Sequence, residues 1–386
     1  MDNSRHGLVI LGSGLGGYSL AREFRKLDRQ TPVTVITADG GEAYSKPMLS
    51  AALAQGKSVA ALAQKSAAAI AAELAITVRA RHRVLAIDRD AHRLTVRDAA
   101  GGETKIGYDK LVLAIGADPR PYAVAGSDQV TVHSVNDLDD YAAWRDRLEG
   151  GAKRVLLIGA GLIGCEFADD LAAAGHLVAV VDPFGWALGR LLPETLGRDL
   201  ESALTAAGVA FHLGRSVARL APGEATLDDG STIGFELALS AIGLLPRVAL
   251  AKAAGLVVDR AIVVDRLLAT SDPDIHALGD CAQTAAGPLP FVLPLMAEAR
   301  ALAATLAGTP TPLALPAMPV VVKTPSLPLA VCPPPPGAAG EWVVSGLGRD
   351  RKALFQDASG GKLGFALAGA ATAERQSLAK EMPPLL

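Results

Sequence analysis

Short apolar runs that stop at glycines mark the first half of the chain. The run Leu8–Leu11 stops at Gly12, a pattern typical of a buried parallel strand. The pattern then predicts a helix over 18–27 and a second strand at Val33–Ile36, which together make a β-α-β unit. The same order of strand, helix and strand returns over 155–158, 164–174 and 178–181.

The remaining stretches alternate between helical and strand-like patterns. Helices are predicted over 58–74, 294–306 and 370–380, and antiparallel strands over 77–87 and 93–96. Further strands are predicted over 111–115, 210–213, 225–228, 237–242, 320–322, 329–331, 342–344, 352–355 and 363–367. A proline-rich texture begins at 309, so the region 309–386 is predicted to be a small, separate α+β domain.

Composition narrows the class of protein. The 386 residues suffice for two or three domains, and half of them are apolar, which excludes a disordered chain. Lys+Arg 37 nearly balances Asp+Glu 40, which argues against a nucleic-acid-binding protein. No charge-free apolar run is long enough to predict a membrane span. The 3 cysteines are far apart, so no zinc site or disulfide loop is predicted and a cytoplasmic location is expected.

The first glycine loop follows the first strand directly. Gly12 permits a tight turn, Gly14 leaves room for a pyrophosphate, and Gly17 lets the next helix approach the sheet. Asp39 lies about 20 residues further on, where an acid accepts hydrogen bonds from a ribose. The loop therefore predicts a dinucleotide site; the alternative is a glycine-rich turn without a ligand.

The second loop repeats this arrangement with Gly159, Gly161 and Gly164, followed by Asp182 at a strand end. A carboxylate there accepts a 2′-hydroxyl and repels a 2′-phosphate, and 183–186 supplies no cation. We therefore predict NADH in preference to NADPH, although a strand-end acid can also be simply solvated. Two such units in one chain suggest two dinucleotides, and a flavin with a nicotinamide gives a two-step electron path.

Later motifs bring a family resemblance. The stretch 274–280, which ends in Gly279-Asp280, resembles the second FAD fingerprint of the pyridine nucleotide-linked flavoprotein reductases. This resemblance implies that Asp280 binds the ribityl chain. The stretches 111–116 and 239–247 resemble the exit from the FAD domain and the return from the NADH domain, and the resemblance assigns Gly243 of the latter to the NADH site.

The implied fold is α/β, with two Rossmann-like nucleotide-binding domains and a small α+β C-terminal domain. The NADH domain is inserted in the FAD domain. The implied bounds are 1–112 with 245–308 for the FAD domain, 113–244 for the NADH domain and 309–386 for the C-terminal domain.

Two further segments resemble the NADH-dependent rubredoxin reductases within this family. One contains Lys46, Pro47 and Met48 on the flavin side, and the other is 320–325 with Lys323. Ferredoxin reductases of the family usually have Arg-Pro-Pro at the first segment, so the departure favours the rubredoxin branch. The resemblance implies FAD and NADH as cofactors and rubredoxin, a small acidic iron-sulfur carrier, as the partner. An alkane hydroxylase or a flavodiiron protein would then be supplied indirectly.

Individual roles follow from the resemblance. Lys46 and Lys323 would place positive charge beside the flavin, Glu166 would hold the nicotinamide carboxamide, and the helix containing Met296 would point at the flavin. Each has a plainer alternative: a lysine that reaches solvent, an acid that stabilises a helix end, and an amphipathic helix.

The cysteines bear on the reaction. The flavin-side stretch 44–53 contains none, and Cys165 and Cys281 are interpreted as small buried residues, so no thiol intermediate is expected. Hydride would then pass from NADH to the flavin, and single electrons would pass directly to the carrier. Alternatives are a reductase of a ferredoxin or of a flavodiiron-fused rubredoxin, or a flavin-based redox sensor.

Overall fold

The computed structural model describes residues 6–386. Its strands up to residue 119 are β1 (Leu8–Leu11), β2 (Val33–Ile36), β3 (Thr77–Arg79), β4 (Arg83–Asp88), β5 (Arg93–Arg97), β6 (Glu103–Gly107), β7 (Lys110–Leu113) and β8 (Ala117–Pro119). Those of the middle region are β9 (Val132–His133), β10 (Arg154–Ile158), β11 (Leu177–Asp182), β12 (Val209–Leu213), β13 (Val217–Ala221), β14 (Glu224–Leu227), β15 (Thr232–Gly234), β16 (Leu237–Ser240) and β17 (Leu244–Pro246). Those that follow are β18 (Ile262–Val263), β19 (Ile275–Ala277), β20 (Ala282–Gln283), β21 (Val320–Val322), β22 (Leu329–Cys332), β23 (Glu341–Leu347), β24 (Asp350–Gln356) and β25 (Lys362–Ala368).

The α-helices are α1 (Leu15–Leu27), α2 (Val59–Leu62), α3 (Ala67–Leu74), α4 (Leu138–Leu148), α5 (Leu162–Ala173), α6 (Glu194–Ala206), α7 (Ala249–Ala253), α8 (Val292–Leu306) and α9 (Arg375–Ala379). Short 3-10 helices cover Lys46–Ala51, Gly279–Cys281 and Gly369–Glu374. We call the first of these, with the turn up to residue 56, the flavin-side loop. No helix within residues 6–386 has the length and apolarity that a membrane span requires.

The first parallel sheet has the strand order β19-β7-β1-β2-β3. β1 lies between β2 and β7, and all four of its residues are buried, as expected of a central strand covered on both faces. The antiparallel interpretation of 77–87 is wrong at its start, because β3 pairs in parallel with β2. β4, β5 and β6 do form a separate antiparallel sheet.

The second parallel sheet has the order β12-β11-β10-β16-β9. All of its strands lie, along the chain, between β8 and β17, and these two pair antiparallel as a ribbon that joins the two sheets. The predicted α/β fold is thus confirmed, with one parallel-sheet unit inserted in the other.

The C-terminal sheet is antiparallel, in the order β21-β22-β25-β24-β23. The single helix predicted over 370–380 is wrong, because the first half is a 3-10 helix and only α9 is α-helical. The helix predicted over 58–74 is also interrupted, because the Ser66 side chain accepts a hydrogen bond from the Ala69 amide and caps a new helix, α3.

One buried cluster joins all three parts of the molecule. It includes Leu49 of the flavin-side loop, Cys165 and Ala168 of α5, and Val322 and Leu327 of the C-terminal domain. α5 therefore packs where the three units meet.

Candidate functional site

The first glycine loop has the geometry predicted for a phosphate cradle. Gly12 has φ +109°, a conformation that favours glycine. A Cβ at Gly14 would meet nothing within 4 Å, so the loop is open at this point. A Cβ at Gly17 would overlap the Gly12 carbonyl oxygen, because the N-terminus of α1 packs directly on the turn.

The second loop repeats each feature. Gly159 also has φ +109°, and a Cβ at Gly161 would meet nothing within 4 Å. A Cβ at Gly164 would overlap the Gly159 carbonyl oxygen. Both helices begin closer to the glycines than predicted, at Leu15 and Leu162, so their N-termini face the open positions.

The acid of each unit contacts the second residue of its own loop. Ser13 Oγ donates to Asp39 Oδ1 at 2.9 Å, and Ala160 N donates to Asp182 Oδ2 at 2.7 Å. Asp182 Oδ1 accepts from Phe184 N at 2.7 Å. A carboxylate offers about four acceptor positions, so both acids keep capacity for a ribose hydroxyl.

The structure also places an arginine beside the segment that follows Asp182. The Arg190 guanidinium lies 5.4 Å from the centre of the Phe184 ring. Arg190 lies outside 183–186, the segment whose lack of a cation led to the prediction of NADH.

The Gly279-Asp280 turn sits beside the first loop. Gly279 has φ +74°, and its amide donates to Glu298 Oε2 at 2.7 Å. Glu298 lies on α8, is 3% exposed, and has its pKa raised by burial. Met296, also on α8, accepts from Ser19 Oγ of α1 at 3.4 Å. The predicted helix is present and begins two residues earlier, at Val292.

Gly243 lies at the crossing between the two sheets. Its φ is +108°, and a Cβ there would meet nothing within 4 Å. Its carbonyl accepts from Arg120 N at 2.9 Å, which ties the two strands of the ribbon together.

Glu166 and Lys323, predicted for the nicotinamide and the flavin respectively, form a direct ion pair. Glu166 is fully buried, and its Oε1 also accepts from Lys323 N at 2.9 Å. Its Oε2 accepts from Ser50 Oγ at 2.6 Å. The carboxylate thus joins α5, the flavin-side loop and the C-terminal domain, with one acceptor position left.

Lys46 has a different environment. Its Nζ donates to Asn136 Oδ1 at 2.6 Å, and Asn136 Nδ2 donates to Ala117 O at 2.9 Å. Burial lowers the pKa of Lys46, and Asp280 partly offsets this shift. Its partner is a neutral amide, so its positive charge is not cancelled by direct pairing, whereas that of Lys323 is. Pro47 follows at the start of the 3-10 helix, where its fixed φ suits the turn.

Cys165, Cys281 and Cys332 are free and buried, as interpreted for the first two. Cys165 Sγ donates to Ala160 O at 3.3 Å, and burial raises the pKa of the Cys281 thiol to about 12. Such thiols are poor nucleophiles at neutral pH.

Sequence reasoning missed Ser50, Asn136 and Glu298. Ser50 lies two residues beyond the segment that contains Lys46, Pro47 and Met48, and Asn136 and Glu298 stand outside every motif. The one available signal was Glu298 in a mostly apolar helix, since a buried acid requires a partner.

Comparisons with known proteins agree with this geometry. Residues 6–302 match the family model described as pyridine nucleotide-disulphide oxidoreductase, and 312–382 match the rubredoxin binding C-terminal domain. A rubredoxin-NAD(+) reductase of Alcanivorax borkumensis is 44% identical, over 99% of this chain and 100% of that protein. A nitric oxide reductase FlRd-NAD(+) reductase of Aeromonas hydrophila is 39% identical, over 97% of this chain and 96% of that protein. The covalent putidaredoxin reductase–putidaredoxin complex is 26% identical with a TM-score of 0.87, over 99% of this chain and 94% of that chain.

Proposed function

The chain belongs to the pyridine nucleotide-disulphide oxidoreductase family, and from that premise we propose that it is an NADH-dependent, FAD-containing reductase of rubredoxin. The observation that carries the proposal is a pair of open glycine cradles in one chain, joined to a C-terminal domain of the rubredoxin-binding type. We keep the domain bounds 1–112 with 245–308, 113–244 and 309–386; the strands of the three large sheets fall within these ranges, except that β7 of the first sheet extends to Leu113.

The residues of the first unit fit FAD. The open position at Gly14 admits a pyrophosphate, Asp39 accepts a ribose hydroxyl, and Asp280 contacts the ribityl chain on the turn that Glu298 stabilises. Bound FAD supplies the chemistry that takes up a hydride and releases single electrons. The hydrogen-bond partner of the Lys46 ammonium is neutral. Its positive charge would therefore stabilise negative charge on a flavin bound beside the flavin-side loop.

The residues of the second unit fit NADH. Gly161 and the N-terminus of α5 take the pyrophosphate, and Asp182 takes the adenosine ribose. Glu166 keeps one acceptor position and orients the carboxamide, while Lys323 and Ser50 fix the carboxylate. The side chains of this site hold the reactants in place and exclude water and oxygen from them. No proton transfer by a side chain is required.

The burial of the thiols supports direct transfer of electrons from the flavin to an external carrier. Cys165 and Cys281 are fully buried and engaged with backbone carbonyls, so neither is placed for a relay. Because all three cysteines are free thiols, we place the reaction in the reducing cytoplasm.

Stopped-flow mixing tests this function. NADH-reduced protein is mixed with a purified rubredoxin, a rubredoxin domain from a flavodiiron protein, or a [2Fe-2S] ferredoxin. We expect rubredoxin to be reduced fastest, with a rate that falls as salt increases because the carrier is acidic. The similarity to the nitric oxide reductase FlRd-NAD(+) reductase favours the flavodiiron domain as the second acceptor. Faster reduction of ferredoxin, or slow transfer to every carrier, would refute the proposal.

A further inference from the structure

Three buried carboxylates follow one face of α5. Glu166, Asp169 and Asp170 stand at helical spacings that place them side by side. Their exposures are 0%, 3% and 6% respectively. We call them the α5 carboxylates. Buried acids are rare unless they are hydrogen-bonded, so their partners indicate why they are there.

Asp170 contacts the flavin-side loop. Its Oδ2 accepts from Leu53 N at 3.0 Å, and its Oδ1 accepts from Ala54 N at 2.9 Å. Burial raises the pKa of Asp170, and these two amides partly offset that shift. Both oxygens therefore bind backbone just beyond the 3-10 helix that carries Lys46.

Asp169 contacts the C-terminal domain in the same manner. Its Oδ2 accepts from Ser326 N at 3.0 Å, and its Oδ1 accepts from Ser326 Oγ at 2.6 Å. Ser326 lies in a turn closed by Thr324 Oγ1, which donates to Leu327 O at 2.7 Å. This turn directly follows Lys323, so Asp169 and Glu166 hold one short segment at two points.

We propose that Asp169 and Asp170 are positioning residues that fix the segments bearing Lys323 and Lys46 against the helix that binds NADH. The inference rests on the proposed function, because it concerns the approach of the nicotinamide to the flavin. α5 begins at the second glycine loop, so a single rigid helix carries the phosphate cradle and all three carboxylates. Displacing either segment changes the approach of the reactants without altering the cradle.

Asp169→Ala and Asp170→Asn test this role: alanine removes both acceptors of Ser326, and asparagine at 170 puts an amide NH₂ where an oxygen accepted a backbone N–H. Matched controls are Asp98→Ala and Asp357→Asn. Both are aspartates of hairpin turns that likewise accept backbone amides, with Asp98 bonded to Gly102 N and Asp357 to Gly361 N, each at 2.8 Å.

The first measurement is stopped-flow flavin reduction over a range of NADH concentrations. We expect the limiting reduction rate to fall at least tenfold in the α5 variants, with the Kd for NADH changed by less than threefold. FAD content and reduction by dithionite should match those of the controls. A limiting rate within twofold of wild type, or a loss explained by lost FAD, overturns the proposal.

The second measurement is amide hydrogen exchange, which requires no turnover. At least one of the Leu53 and Ala54 amides should exchange faster in Asp170→Asn, and the Ser326 amide should exchange faster in Asp169→Ala; unchanged exchange overturns the proposal. If those variants do not fold, Ser326→Ala and Asp170→Glu replace them under the same criteria, with a threefold rate loss expected. If NADH does not reduce the flavin of the wild-type protein, the proposed function is refuted. Amide hydrogen exchange would still test the positioning role.

Discussion

Replacing Gly161 by alanine separates ligand binding from folding at the second cradle. Gly161 has φ −75° and ψ −174°, which alanine adopts without strain, and its Cβ would meet nothing within 4 Å. We therefore expect the free energy of unfolding to change by less than about 1 kcal/mol. The methyl group extends about 1.5 Å from Cα into the open space where a pyrophosphate would approach.

The expected effect on NADH follows from the hydrogen bonds at such a site. A hydrogen bond to a charged group contributes about 1.5–3 kcal/mol. Losing one would raise the Kd for NADH roughly 10- to 150-fold, at about 1.4 kcal/mol per factor of ten. Stopped-flow flavin reduction at increasing NADH concentrations measures this Kd, and the limiting rate should change little.

Gly14→Ala is the matched control, since Gly14 is equally open but belongs to the first cradle. It should lower FAD content, read from visible absorbance, rather than NADH affinity. A Kd for NADH within twofold of wild type in Gly161→Ala would refute the assignment of this loop. So would loss of FAD from Gly161→Ala with retention in Gly14→Ala, because the two assignments would then be exchanged.

Three further predictions concern packing, pH and the buried ion pair. Gly17→Ala should cost about 3 kcal/mol or more in urea unfolding, because its Cβ would overlap the Gly12 carbonyl oxygen; an unchanged midpoint would contradict the close packing. Burial lowers the pKa of His276 from 6.5 to about 4, so its stabilisation is fully present above pH 6.5 and is lost as pH falls towards 4, by roughly 3 kcal/mol in total. Unfolding of His276→Gln across this range should be correspondingly less pH-dependent, and an equal slope would exclude the histidine. Glu166→Gln should raise KM for NADH about tenfold by weakening the contacts with the carboxamide and Lys323; an unchanged KM in steady-state kinetics would refute the contact with the carboxamide.

The two glycine loops were predictable from the sequence because their geometry is local. Each requires a turn residue with positive φ, an open position and a close helix–strand contact within a short stretch. Helix starts were less accurate: α1 begins at Leu15 rather than at residue 18, since the helix follows the open glycine directly. Glycine weighs against helix in a pattern analysis, although here it forms the N-cap.

The parallel pairing of β3 was not predictable from its pattern. Its three residues are exposed or partly exposed, and only its pairing with β2 places it in the first sheet. An edge strand buries few side chains, so its sequence shows little hydrophobic pattern. Its pairing partner is therefore decided by the course of the chain.

The sequence by itself determined the two β-α-β units, their cradles and the family of the protein, because steric rules and phosphate geometry act over short stretches of chain. Only the tertiary structure decided which side chains meet. Lys46 contacts Asn136 across 90 positions, and Glu166 and Asp169 contact Lys323 and Ser326 across 157 positions. These partners are set by how three separately packed units fit around α5, and a buried carboxylate must find its donors wherever that packing places them.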